Sequence, residues 1–374
     1  MARNPTARRR IWRYISLLML VAILFGGWSW LWRYAASKAE VTLDGWRARE
    51  AKAGRIYACG SQTIGGYPFR FEVDCQQASA LFQSNQPPVE LKTNGMLVAS
   101  QIYDPTSLIS EFRGPLTIAE TGKAPNIVVN WKLFQSSLRG TPASPERASI
   151  VLDRPAADRI SGTSQQSILR AKHIEIHGRI VEGSAAYRPV IEMALQLDHA
   201  AAPDLHAATA EPVDADIIAV LRGLNDFAPK PWPERLRELQ AAGGGIEVTR
   251  ARVQQGETIA VGNGVLSLNA NGRLEGQLRV TVVGVEAFLN SIGAQQMVQA
   301  SPTVEKLSGA LDRLVPGLGA AARQQAGANI SAGINLLGEQ GILEGKRAVT
   351  VPLHFNDGAV FLGPIPIGNT PALF

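Results

Sequence analysis

The chain has 374 residues, 45% of them hydrophobic and 18% charged, with 36 Gly, 2 Cys and 5 His. A chain of this length buries a core without help from metals or cross-links, and its composition excludes a disordered or collagen-like protein. The formal charge of +5 equals the charge of Arg3, Arg8, Arg9, Arg10 and Arg13 alone, so the body is neutral and no basic stripe invites nucleic acid.

From Ile15 to Trp32 the chain carries no charge. That run of roughly 18 residues is the shortest helix that crosses a hydrocarbon core of about 30 Å. Trp12 and Tyr14 at one end, and Trp28, Trp30, Trp32 and Tyr34 at the other, stand where amphipathic rings prefer the headgroup layer. The arginines before the span orient it with the N-terminus in the cytoplasm. A cleaved signal peptide, cut near Ser37, is the rival, but the span exceeds the usual apolar core of a signal and its outer edge is crowded with Trp. The expected organisation is a basic cytoplasmic tail (1–14), a transmembrane helix (15–33), a helical stalk (34–53) ending at Gly54, and a periplasmic β-rich body (54–374) with a subdivision allowed near 199–214.

Cys59 and Cys75 flank a segment whose two arms alternate like strands, with Gly65, Gly66 and Pro68 supplying the turn between them. An antiparallel hairpin centred on that turn sets the cysteines opposite each other, and a structural disulfide fits export to an oxidising compartment. Gly66, Tyr67, Pro68 and Phe69 form the turn that sets this register.

Period-two runs then predict strands at 90–98, 126–133, 167–181, 190–197, 246–253, 258–268, 273–283 and 349–355. Asn271-Gly272 and Asp357-Gly358 mark hairpins. Helices are expected from Asp216 to Phe227, from Pro233 to Ala242, from Val285 to Met297 and from Val304 to Leu314, while 139–147 and 199–214 read as loops. The fold class is therefore mainly β or α+β: a long antiparallel meander with packed helices after one transmembrane helix.

Catalytic motifs are missing: there is no HExxH, GxSxG or Walker loop. His173, Glu175 and His177 alternate on one strand face and form the best metal-like cluster, although a solvated strand face is far the commoner reason for such a pattern. No catalytic residue and no cofactor is expected. The apolar parity of the strands, by contrast, predicts either core or a trough for acyl chains.

The stretch GlyGlyTyrProPheArgPheGluValAspCys (65–75), with Cys59 upstream, Gly262 to Val280 and the closing Val351 to Pro366, resembles the bacterial envelope family called domain of unknown function 2125. The GlyAsnGly and GlyArgLeuGluGly segments are also similar to AsmA-like, single-pass, periplasm-facing β-rich proteins. Those resemblances imply outer-membrane assembly or lipid traffic and transfer no catalytic residue. The expected function is non-catalytic work in envelope homeostasis. The expected partners are the inner membrane and phospholipid or another acylated ligand; alternatives are a scaffold for an envelope protein partner, and a periplasmic hydrolase.

Overall fold

A computed structural model describes residues 5–141, 144–205, 207–228, 230–285, 287, 338–362 and 365–374. The chain divides into two compact units, residues 1–126 and 127–374.

The first unit opens with helix α1, Pro5–Lys52, which runs without a break through the expected anchor and the expected stalk. Gly54, at φ +76°, turns the chain into the strands. They are β1 (Arg55–Ala58), β2 (Ser61–Gly65), β3 (Arg70–Phe82), β4 (Val89–Gln101) and β5 (Asp104–Glu120). Strand β3 pairs with β1 and β2 at successive stretches of one edge and with β4 on the other, and β4 pairs with β5, all antiparallel. The outer part of α1 lies along this sheet: Trp46 stacks on Tyr57, and the Arg55 guanidinium bonds the Glu50 carboxylate at 2.6 Å.

In the second unit the strands are β6 (Ile127–Asn130), β7 (Leu133–Thr141), β8 (Ser144–Asp153), β9 (Ala156–Ser161), β10 (Ser164–Arg170), β11 (His173–Ser184) and β12 (Tyr187–Ala200). They continue as β13 (Val213–Arg222), β14 (Gly245–Gln255), β15 (Thr258–Leu268), β16 (Leu274–Val283), β17 (Glu339–Leu343), β18 (Lys346–Asn356), β19 (Ala359–Leu362) and β20 (Ile365–Asn369). Antiparallel pairing gives the spatial order β7-β8-β11-β12-β13-β14-β15-β16-β18. The far edge of β18 takes β17 and then β19, and β19 takes β20. The hairpin β9–β10 is inserted between β8 and β11, with β6 on its β9 edge.

Two sequence expectations change here. Residues 216–222 of the expected Asp216–Phe227 helix are part of strand β13 instead. The run Ile217-Ile218-Ala219-Val220-Leu221 is apolar at every position, so its periodicity cannot separate helix from strand, and its place between β12 and β14 satisfies the backbone on both sides. Residues 139–147, read as a loop, belong mostly to the β7–β8 hairpin, whose ladder reaches Thr141 and Ser144. The helix expected at Pro233–Ala242 is present as α2, Trp232–Ala241, with Pro233 in its first turn and Leu239 buried. The helices expected over 285–297 and 304–314 lie almost wholly outside the described residues.

Buried apolar side chains gather around β15, β16 and β18. Val282, Val349, Val351 and Leu362, all at most 5% exposed, form one apolar cluster, and Ile259, Val283 and Ala348 form a second. Ile259 and Val283 are register partners adjacent to the paired Ala260 and Val282, so by strand alternation the two clusters occupy opposite faces of the sheet.

Candidate functional site

Residues directly opposite each other in antiparallel strands project to the same face. The register therefore sorts the second unit's sheet into two chemically distinct sides. One row runs Phe134, Leu152, Ile174, Leu197, Ala215, Val253, Ala260, Val282 and Val349. The next row on the same face runs Ile150, Ile176, Leu195, Ile217, Ala251, Gly262, Val280 and Val351. A third contains Leu138, Met193, Ala219, Val248, Leu278 and Leu353. No charged residue interrupts these rows.

Burial along them is uneven. At the β16–β18 end Val282 and Val351 are closed off, whereas Ile150 and Ile176, adjacent partners of β8 and β11, remain 36% and 44% exposed. A side chain in the middle of a sheet is flanked by its own neighbours, so exposure of that size means that the tops of these side chains are open. Met193, Leu195 and Ile217 continue the patch half-buried.

Over β11 to β14 the opposite face is polar and paired, while at β15 and β16 it carries the buried Ile259–Val283–Ala348 cluster. Arg179 bonds Glu192 at 2.7 Å, Arg250 holds both carboxylate oxygens of Asp216 at 2.9 Å, and Arg252 reaches Glu344 at 2.7 Å. His173, Glu175 and His177 lie on this side. Glu175 sits between the two imidazoles, 2.7 Å from His173 Nε2 and 2.9 Å from His177 Nε2. His173 Nδ1 meets Asp153 at 2.5 Å, and His177 Nδ1 meets Ser149 at 2.9 Å. Every ring nitrogen is thus engaged within the network. The Glu175 carboxylate, then that of Asp153, raises the His173 pKa, and the His173 and His177 imidazoles lower that of Glu175. This is the behaviour of an ion-paired surface cluster whose members hold one another across β8 and β11. A second acidic group, Asp198, His199 and Asp214, was not anticipated from sequence. Its members lie at the bulge in the β12–β13 ladder, where His199 N donates to Asp214 at 2.7 Å, and Lys172 already bonds Asp198 at 2.8 Å.

Cys59 and Cys75 are joined by a disulfide with Cα atoms 5.5 Å apart. Cys75 is 2% exposed, and the bond ties the β1–β2 connection to β3 next to the Gln62–Cys75 register pair. Gly66, at φ +95°, begins the turn. Tyr67, Pro68 and Phe69 meet α1: Trp28 Nε1 donates to the Pro68 carbonyl and Trp32 Nε1 to that of Arg70, each at 3.0 Å. The motif was legible in sequence; its helical partner was not.

Fold and faces together define a class: an antiparallel-sheet protein behind an N-terminal apolar helix, whose main sheet has one apolar side and one side that is polar over β11 to β14. The chain belongs to the family described as "Uncharacterized protein conserved in bacteria (DUF2125)", whose model matches residues 32–371. No curated protein matches it.

Proposed function

We propose that this is a membrane-anchored protein of the bacterial cell envelope, with its N-terminus in the cytoplasm and its body in the periplasm. In this reading the main sheet holds acyl chains of phospholipid, or of another acylated molecule, against its apolar face and catalyses no reaction. One observation carries the reading: the apolar rows through β8, β11, β12 and β13 stay open at Ile150 and Ile176 instead of closing into core. Flexible chains bind such a face by area rather than by directed bonds, which suits a surface without polar anchors.

Export is supported by the helix, which holds an uncharged and unburied apolar stretch from Ile15 to Trp32, and by a disulfide that requires an oxidising compartment. A role in envelope homeostasis follows from location and ligand class together. The same open patch would suit a scaffold contact with an envelope protein, and one experiment separates the two.

The full chain, purified from bacterial membranes in mild detergent, is subjected to native mass spectrometry and lipid extraction beside an Ile150→Glu, Ile176→Glu variant. Phospholipid at fixed stoichiometry in the parent, lost in a variant that melts normally, supports the acyl-chain reading. Lipid retained equally by both sinks it. A lipid-free parent that carries a stoichiometric protein favours the scaffold.

A further inference from the structure

The turn at Tyr67–Phe69 docks on a part of α1 that a membrane anchor places inside the bilayer. With a rise of about 1.5 Å per residue from Ile15, Phe25 lies roughly 15 Å, Trp28 roughly 20 Å and Trp32 roughly 26 Å along a hydrocarbon core of about 30 Å. Phe25 and Trp32 each meet the Tyr67 ring edge-on, with centroids 6.3 and 5.6 Å away, and Trp28 meets Phe69 at 6.2 Å. The first turn of the body therefore sits level with the outer half of the span, not above it.

Two of its carbonyls and one hydroxyl find partners on α1. Backbone carbonyls in a low-dielectric layer need partners within the protein, because water is absent. Pro68 and Arg70 offer two such carbonyls, and the indoles of Trp28 and Trp32 donate to them. The Tyr67 hydroxyl pairs with Ser29 Oγ at 2.8 Å. The neighbouring turn follows: Ile102 N donates to the Phe69 carbonyl at 3.1 Å, which seats Tyr103 beside it. Phe69 is 63% and Tyr103 77% exposed, so two aromatic rings point outward from the tips of adjacent hairpins. Large exposed rings at one end of a domain, beside the Trp-rich end of an apolar helix, match the belt where amphipathic rings meet headgroups.

We infer that the tips of the β2–β3 and β4–β5 hairpins, through Phe69 and Tyr103, are a second membrane contact inserted into the leaflet on the body's side. This rests on the anchor reading given above. The anchor then carries the first unit as one body seated on lipid, with α1 and the hairpin tips entering the bilayer together. The occupant is the lipid itself, since Phe69 meets Trp28 within the span and the Phe69 and Tyr103 rings both stay largely exposed beside it.

The test places a photoreactive benzophenone side chain at Phe69, Tyr103, Leu20 or Lys123 of the full chain in bacterial membranes, irradiates, and reads adducts by mass spectrometry. Leu20 reports the anchor alone. Lys123 lies just past the other end of β5, roughly 50 Å from the tips at 3.3 Å per residue. Phospholipid adducts at Phe69, Tyr103 and Leu20 but not at Lys123 are expected. Adducts at Leu20 without any at Phe69 and Tyr103 overturn the insertion while leaving the anchor intact. None at Leu20 either overturns the anchor and the insertion with it. Protein adducts in place of lipid at Phe69 overturn the choice of occupant.

Discussion

The indole of Trp28 donates its only hydrogen to the carbonyl of Pro68, 3.0 Å away and 40 residues on in sequence. Helix and turn are thereby linked through a backbone group that has no side chain of its own to reveal it. Trp28→Phe keeps the ring against Phe69 and removes the donor. It should lower the melting stability of the full chain by about 1–2 kcal/mol, the cost of an unsatisfied sheltered carbonyl. Trp30→Phe is the comparison: Trp30 is 69% exposed and stacks only on Tyr34, and that ring contact survives the change. Equal effects from both variants would show that the hydrogen bond contributes nothing.

Gly65 and Gly66 predict opposite outcomes. A Cβ at Gly66 would lie 2.7 Å from the Arg70 carbonyl oxygen at a φ of +95°, whereas one at Gly65 meets nothing within 4 Å. Gly66→Ala should cost at least about 1 kcal/mol in a thermal melt, while Gly65→Ala stays near neutral.

Cys59 and Cys75 close a loop with a sequence separation of 16. Their joint replacement by Ser should lower stability by about 3 kcal/mol under oxidising conditions. Adding reductant should shift the parent by a similar amount and leave the variant unchanged. A variant that melts with the parent in both conditions would remove the bond from the stability account.

The His173 network makes stability depend on pH. Glu175 and Asp153 hold the His173 imidazolium above its usual pKa of 6.5, so its contribution is complete below that value and fades as pH rises through the raised folded value. Glu175, held below its usual 4.5, contributes above that value and is lost as pH falls through its lowered folded one. The network therefore stabilises most between the two. In urea titrations the gap between parent and His173→Gln should be wider at pH about 5.5 than at about 9. A gap that widens toward the alkaline side contradicts the assignment.

Val282 and Val265 separate core from surface within the same strand pair. Val282, 2% exposed, packs with Val349 and Val351, and Val282→Ala should cost about 2 kcal/mol. Val265 is 55% exposed, and Val265→Ala should change stability by under about 0.5 kcal/mol. Denaturant midpoints measured side by side decide it.

Much of this protein is legible along the chain because the signals are local. An uncharged run with arginines on one side and Trp on the other states an apolar helix long enough to cross a membrane, by length and charge alone. Two cysteines symmetric about Gly66-Tyr67-Pro68 state a hairpin, and alternation from Thr258 to Val283 states paired strands, since each rests on spacing between near neighbours. Other features are non-local and needed the folded chain. Ile217 to Leu221 has apolar residues at every position, so only pairing with β12 and β14 makes it a strand. Ile150, Ile176, Leu195 and Ile217 become one surface only through register, because residues far apart in sequence share a face when the ladders set them opposite. His173, Glu175 and His177, spaced like ligands, turn out to be bound to one another and to Asp153 and Ser149 on the next strand. Local spacing determined most of the elements, the long apolar helix among them; long-range hydrogen-bond register decided which side chains meet, and hence where the open apolar face lies.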